Sequence, residues 1–114
     1  MFLKKIEAII RPNRFEELKE ALDKVGIRGM TVCEVRGRGL QKETTQYYRG
    51  QEHRIDLHPK TKVEIVSQDD SVEKIISTIL SVCRTGEIGD GKIFVYPLER
   101  VIRISTREEG GSAL

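Results

Sequence analysis

Residues 85–95 read TGEIGDGKIFV. At their centre, Gly89-Asp90-Gly91-Lys92 sets two glycines and a lysine before an apolar run of strand character. Glycines let main-chain N–H groups converge on an anion with no Cβ in the way. A lysine at the exit adds a point charge suited to phosphate. The bland reading of the same residues is a turn between a helix and a strand, and the spacing supports both. Arg103, on a short last strand, completes a phosphate clamp if the fold or a second copy brings it near; otherwise it is an edge charge. The chain has no Walker A lysine–serine pair and no carboxylate cluster for two metals.

Other reactive residues form weaker patterns. His53 and His58 lie five apart with no further ligand grouped beside them, which is thin for a metal site. Cys33 and Cys83 form no CxxC pair and have no histidine beside them in sequence. They read as reduced core or near-core thiols of a cytoplasmic protein rather than as a disulfide or a nucleophile.

The elements that must position these residues follow from periodicity. The chain has 114 residues, 38% hydrophobic and 33% charged, enough for one modest core in a single domain over 1–114. Two lysines interrupt the apolar start MFLKKIEAII, which therefore reads as strand rather than signal peptide, and no run is long enough to span a membrane. KKIEAII (4–10) alternates Ile6, Ala8 and Ile10 on one face. Asn13 and Glu16 are spaced as a capping box after Pro12. Phe15, Leu18, Leu22 and Val25 then make a helical stripe closed by Gly26. A strand over 29–36 follows.

The second half repeats the plan. TKVEIVS (61–67) is a strand, and Asp70 with Glu73 a second box. Val72, Ile75, Ile76, Ile79 and Cys83 make a helical stripe with Gly86 as its cap. IFVYP (93–97) and VIRI (101–104) are strands, and 105–114 a polar, flexible tail. Two βαβ units in series predict a ferredoxin-like α+β sandwich. Both helices would cover one sheet face. The other, with Glu7, Ile9, Thr31, Cys33, Glu64 and Val66, is apolar enough to favour cover by an oligomer. Between the repeats, about 37–58 shows no sustained period. From Arg36 to Lys62, seven basic residues face three acidic ones, so this stretch carries +4 while the whole chain carries +2. A local excess of that kind suits an anion or a partner.

Along nearly its whole length the sequence resembles the PII-type nitrogen regulatory proteins. TGEIGDGKIFV with Pro97 and Leu98 matches their C-terminal signature. GMTVCEVRGRGLQK resembles their second strand and loop entry, YRG (48–50) the tip of their long T-loop, and RVIRI (100–104) their last strand. The resemblance implies a homotrimer that binds ATP or ADP between subunits, senses 2-oxoglutarate and contacts targets through the T-loop. Carried over, Gly89, Asp90, Gly91, Lys92 and Arg103 would hold the phosphates. Ile9, Thr31 and Val66 would line the adenine, with Gly39, Leu40 and Gln41 also at the nucleotide. Gln41 would help hold Mg²⁺ chelated by 2-oxoglutarate. Lys60 would pair with the effector's distal carboxylate, with Lys42 and Glu43 closing over it. Tyr48, Arg49 and Gly50 would meet the partner, an ammonium transporter or a nitrogen-assimilation or nitrogen-fixation enzyme.

The sequence departs from the family at four places, one of them Leu40, which replaces a common arginine. His53 stands where relatives carry the modified tyrosine, and Gln51 where some carry a phosphorylated serine. Ser105 replaces a second arginine. The resemblance thus implies a cytoplasmic sensor that is not an enzyme, is not modified on the usual loop tyrosine, and inserts into no membrane. The alternatives are a slow ATPase and a ferredoxin-like RNA-binding module. The RNA reading expects strand aromatics and a basic sheet face, whereas Tyr47 and Tyr48 lie in the loop.

Overall fold

The structure, a computed structural model, describes residues 2–39, 44–48 and 51–114. In chain order the elements are β1 (Leu3–Ile10), α1 (Phe15–Lys24), β2 (Thr31–Gly37), β3 (Thr44–Tyr48), β4 (Gln51–Ile55), β5 (His58–Gln68), α2 (Val72–Cys83) and β6 (Lys92–Leu98). Four strands form one antiparallel sheet in the order β2-β5-β1-β6. This is the ferredoxin-like α+β fold expected from the doubled pattern.

Alternation sets the two faces. Ile6, Ala8 and Ile10 of β1 and Val63 and Ile65 of β5 point one way and are buried. Leu18 and Leu22 of α1 and Val72, Ile75, Ile79 and Cys83 of α2 close over them. Each fully buried branched side chain there contributes about 1.5–3 kcal/mol. The opposite face carries the six residues expected on it. Thr31 is paired with Glu64 and Glu64 with Glu7; Cys33 is paired with Lys62 and Lys62 with Ile9. Val66, Phe94 and Tyr96 are exposed there, interleaved with Lys5–Glu64 (3.3 Å) and Lys62–Glu64 (3.5 Å) ion pairs.

Several local expectations change. Neither helix starts with a side-chain cap. Pro12–Arg14 and Asp69–Ser71 are 3-10 turns, so Asn13 and Asp70 sit inside turns rather than at the cap positions, which Arg14 and Ser71 take. Glu16, Glu17 and Glu73 in the first turns still oppose the helix dipoles. Gly26 does close α1, with φ +86° and the Ile27 amide bonded to the Leu22 carbonyl at 2.9 Å. Gly86 does not close α2, because the chain is already extended at Arg84.

The aperiodic stretch contains a hairpin, β3 against β4, with Tyr48 opposite Gln51. The threonines and tyrosines of TTQYY favour strand, but no apolar alternation announces it. The expected strand at 101–104 is reduced to one bridge, Ile102 to Glu109. The chain reverses directly after Ile104, and Arg107 sits at φ +64°.

The thiols also divide. Cys33 is exposed on the open sheet face rather than in the core, whereas Cys83 is buried and burial pushes its pKa up to about 11. A thiolate is therefore disfavoured at Cys83 well above neutral pH. At pH 8, at most one thiol per native chain, Cys33, is expected to react with a maleimide, and the second only in denaturant. Mass spectrometry of two labels on the native chain would contradict this packing.

Candidate functional site

The glycine loop joins the end of α2 to the start of β6. Its organiser is the Asp90 carboxylate. One oxygen accepts from the Thr85 amide at 2.8 Å and the Gly86 amide at 2.9 Å; the other accepts from the Thr85 hydroxyl at 2.5 Å. Arg11, just past β1, donates to Asp90 Oδ1 through Nη2 at 3.3 Å and Nε at 3.4 Å. The same guanidinium donates to the Ile88 carbonyl at 3.1 Å. These donors, the Thr85 hydroxyl first, hold the Asp90 carboxyl well below the usual carboxylate range.

Two further contacts fix the loop against the sheet. Lys60 of β5 donates through Nζ to the Gly89 carbonyl at 2.6 Å. Burial, and then the Arg11 charge, push the Lys60 pKa down, with Asp90 opposing. Gly91 lies against β1 with φ +104°, and a Cβ there would fall 1.6 Å from the Ile9 carbonyl oxygen. Gly89 also has a left-handed φ, +105°. The glycines are required by conformation at 89 and by both conformation and space at 91.

Loop, strand ends and the start of the 37–58 stretch border an open cleft of about 500 Å³. Its lining includes Ile9, Gly37, Arg38, Gly39, Lys60, the 87–92 loop and Phe94. Apolar Ile9 and Phe94 thus meet the cations Arg38, Lys60 and Lys92 around a glycine-rich main chain. The volume fits a small organic molecule, and the charges favour an anionic one.

Of the residues picked from sequence, the fold brings together Ile9, Gly39, Lys60, Gly89, Asp90, Gly91 and Lys92. Asp90 lines the cleft, but its carboxylate is committed to the loop. Thr31, Val66 and Arg103 are not part of that lining. Thr31 is on β2, at the opposite edge of the sheet from β6, roughly 14 Å away at ordinary strand spacing. Val66 is on the open face of β5. Arg103 donates instead to the Ala113 and Leu114 carbonyls, at 3.4 and 2.5 Å. Leu40, Gln41, Lys42, Glu43, Arg49 and Gly50 lie outside the described residues, and Tyr48 ends β3. Sequence reasoning misses Arg11, Arg38 and Thr85. The Thr85-to-Asp90 spacing is a usable signal for a side-chain-closed loop, but Arg11 is 79 residues from Asp90 and nothing local points to it.

Comparison with known proteins gives the family of the chain. Residues 3–108 match the family model described as nitrogen regulatory protein P-II. The chain belongs to the P-II family. It is 53% identical over 114 residues to nitrogen regulatory protein P-II 2 of Methanothermobacter thermautotrophicus, covering 100% of this chain and 99% of that one. It is 54% identical over 112 residues to nitrogen regulatory protein P-II of Azospirillum brasilense, covering 98% and 100%. Among solved structures, GlnK of B. subtilis superposes with a TM-score of 0.82 at 41% identity, covering both chains fully. Arabidopsis thaliana PII bound to citrate gives 0.81 at 46% identity, covering 99% of this chain and 92% of that one. P-II relatives are regulators by description, and no helix among the described residues is long and apolar enough to cross a membrane.

Proposed function

We propose that this P-II protein is a cytoplasmic, non-enzymatic sensor. It binds ATP or ADP in a crevice shared by two copies of a homotrimer and reads 2-oxoglutarate beside the nucleotide. The 37–58 segment, with Tyr48, Arg49 and Gly50 at its tip, then changes shape and selects a partner. That partner is an ammonium transporter or a nitrogen-assimilation or nitrogen-fixation enzyme. The observation that carries the reading is the Asp90-closed glycine loop, set beside Lys60 and Lys92 at the mouth of an apolar-walled cleft.

The split of the candidate residues supports a shared site. One group lines the cleft. Thr31, Val66 and Arg103 sit elsewhere on the same chain, where a second copy brings them to the first copy's loop. The open sheet face, with Val66, Phe94 and Tyr96 exposed, gains cover in the same assembly. In this reading Gly89–Lys92 and Arg103 hold the phosphates, Ile9, Thr31 and Val66 line the base, and Gly39, Leu40 and Gln41 border the nucleotide.

The proposed metal is Mg²⁺. Among the described residues no three His, Cys, Asp or Glu side chains group together, so no all-protein cage is offered. Mg²⁺ commonly keeps one or two protein ligands and takes the rest from substrate oxygens and water. Gln41 would be the protein ligand, and the metal, when bound, would supply charge joining the phosphates to the keto acid. Lys60 meets the effector's far carboxylate, with Lys42 and Glu43 alongside. The citrate-bound Arabidopsis relative shows that a P-II protein takes a polycarboxylate.

Calorimetry of ATP binding with and without 2-oxoglutarate and Mg²⁺ tests the reading. Mutual tightening of the two ligands is expected, because coupling between sites is reciprocal. Indifference to adenine nucleotides would overturn the proposal. Lys60→Met should weaken 2-oxoglutarate by roughly ten- to a hundredfold, the usual scale for a charge-assisted contact. ATP binding without the effector should change far less. Equal losses for both ligands would mean that Lys60 acts only as a prop for Gly89.

A further inference from the structure

One edge of the Arg103 guanidinium is already occupied. It donates to the Ala113 and Leu114 carbonyls. The Arg103 amide donates to the Glu108 carbonyl at 2.9 Å, and its carbonyl accepts from the Arg107 amide at 2.8 Å. The return is held further by the Ile102–Glu109 bridge, by the Gly110 amide on the Val101 carbonyl at 3.1 Å, and by Arg100 on Glu109 at 2.7 Å. Residues Gly110–Ala113 then make a 3-10 turn that brings the last carbonyls onto Arg103. A segment expected from its composition to be a loose tail is instead folded back onto a candidate phosphate ligand.

We propose that the 110–114 segment is an internal competitor of the nucleotide phosphates for Arg103. The inference rests on the nucleotide-binding reading above. A guanidinium presents its donors in a fixed fork, so the directions that meet the two tail carbonyls are not simultaneously open to phosphate. Phosphate brings several negatively charged oxygens to the guanidinium, and charge-assisted contacts are about twice as strong as one to a neutral acceptor such as the Ala113 carbonyl. The phosphates therefore win, but against a standing opponent. The apparent affinity is lowered by the fraction of molecules in which the tail holds Arg103.

The test is ATP binding by three full-trimer preparations: the intact chain, a chain ending at Glu109, and the full-length variant Glu109→Gln. Circular dichroism checks that each is folded. The truncated chain is expected to bind ATP roughly three- to tenfold more tightly, the scale of one or two ordinary hydrogen bonds. Glu109→Gln, which weakens the Arg100 clasp but leaves the segment in place, is expected to fall between. Hydrogen exchange at 110–114 in the intact chain should rise when ATP saturates it. Unchanged or weaker binding by both folded variants would overturn the competitor while leaving the nucleotide site intact. Absence of ATP binding by all three would overturn both readings.

Discussion

Gly91→Ala is expected to abolish useful nucleotide binding, weakening it by on the order of a hundredfold or more. The new Cβ would sit 1.6 Å from the Ile9 carbonyl oxygen, and that oxygen belongs to a strand in the middle of the sheet. β1 cannot yield without disturbing its pairing to both β5 and β6, so the loop must move instead. The φ of +104° adds about 1–3 kcal/mol of strain for any residue with a side chain. Gly86→Ala separates the two causes. Gly86 shares the left-handed conformation, at φ +88°, but a Cβ there meets nothing within 4 Å. It should cost some stability yet leave a cradle that still binds. If Gly91→Ala bound ATP as well as Gly86→Ala does, the close approach of loop and β1 would not be what shapes the site.

Asp90→Ala should have the second-largest effect, a loss of ATP affinity of roughly tenfold or more without any contact between the Asp90 carboxylate and the phosphates. It leaves the Thr85 and Gly86 amides without their acceptor and Arg11 without its carboxylate. Asp90→Asn, which keeps one acceptor oxygen, should retain part of the affinity. The pH behaviour follows from the sign of the shift. The Asp90 pKa is lower folded than unfolded, so its stabilising effect is complete above the ordinary aspartate range. It fades only as pH falls below that range toward the depressed value. Between pH 5 and 8 the loop should therefore hold its shape, followed by the amide resonances of Thr85 and Gly86. A titration of those resonances near neutrality would contradict the assignment of Asp90 as organiser.

How much of the fold and the site can be read in the sequence depends on how local each determinant is. The faces of β1, α1, β5 and α2 are written in alternations and stripes such as Ile6, Ala8, Ile10 and Ile75, Ile79, Cys83, because burial acts on each residue in turn. The hairpin at 44–55 is not, since its strands carry polar β-formers with no apolar side to reveal a period. The capping boxes mislead because Pro12 and Asp69 open 3-10 turns that move each helix cap along by one residue. The same holds for the site. Gly89 and Gly91 advertise a special backbone, and Lys92 an anion. Nothing in the spacing says that Arg11 reaches the Asp90 carboxylate. Nor does it say that Lys60 reaches Gly89, or that Arg103 lies under the tail. Those depend on contacts across 29, 79 or 11 residues, set by the sheet order and the return of the chain.

Mixed assemblies decide whether the crevice is shared. Chains carrying Gly91→Ala and chains carrying Arg103→Ala, each expected to bind ATP poorly alone, are denatured together, refolded and titrated with ATP under native mass spectrometry. Heteromeric trimers should regain tight sites, because one copy then supplies an intact loop to another copy's intact arginine. If the heteromers bound no better than either parent, the loop and Arg103 would not meet across an interface, and this protein would not be an intersubunit nucleotide sensor.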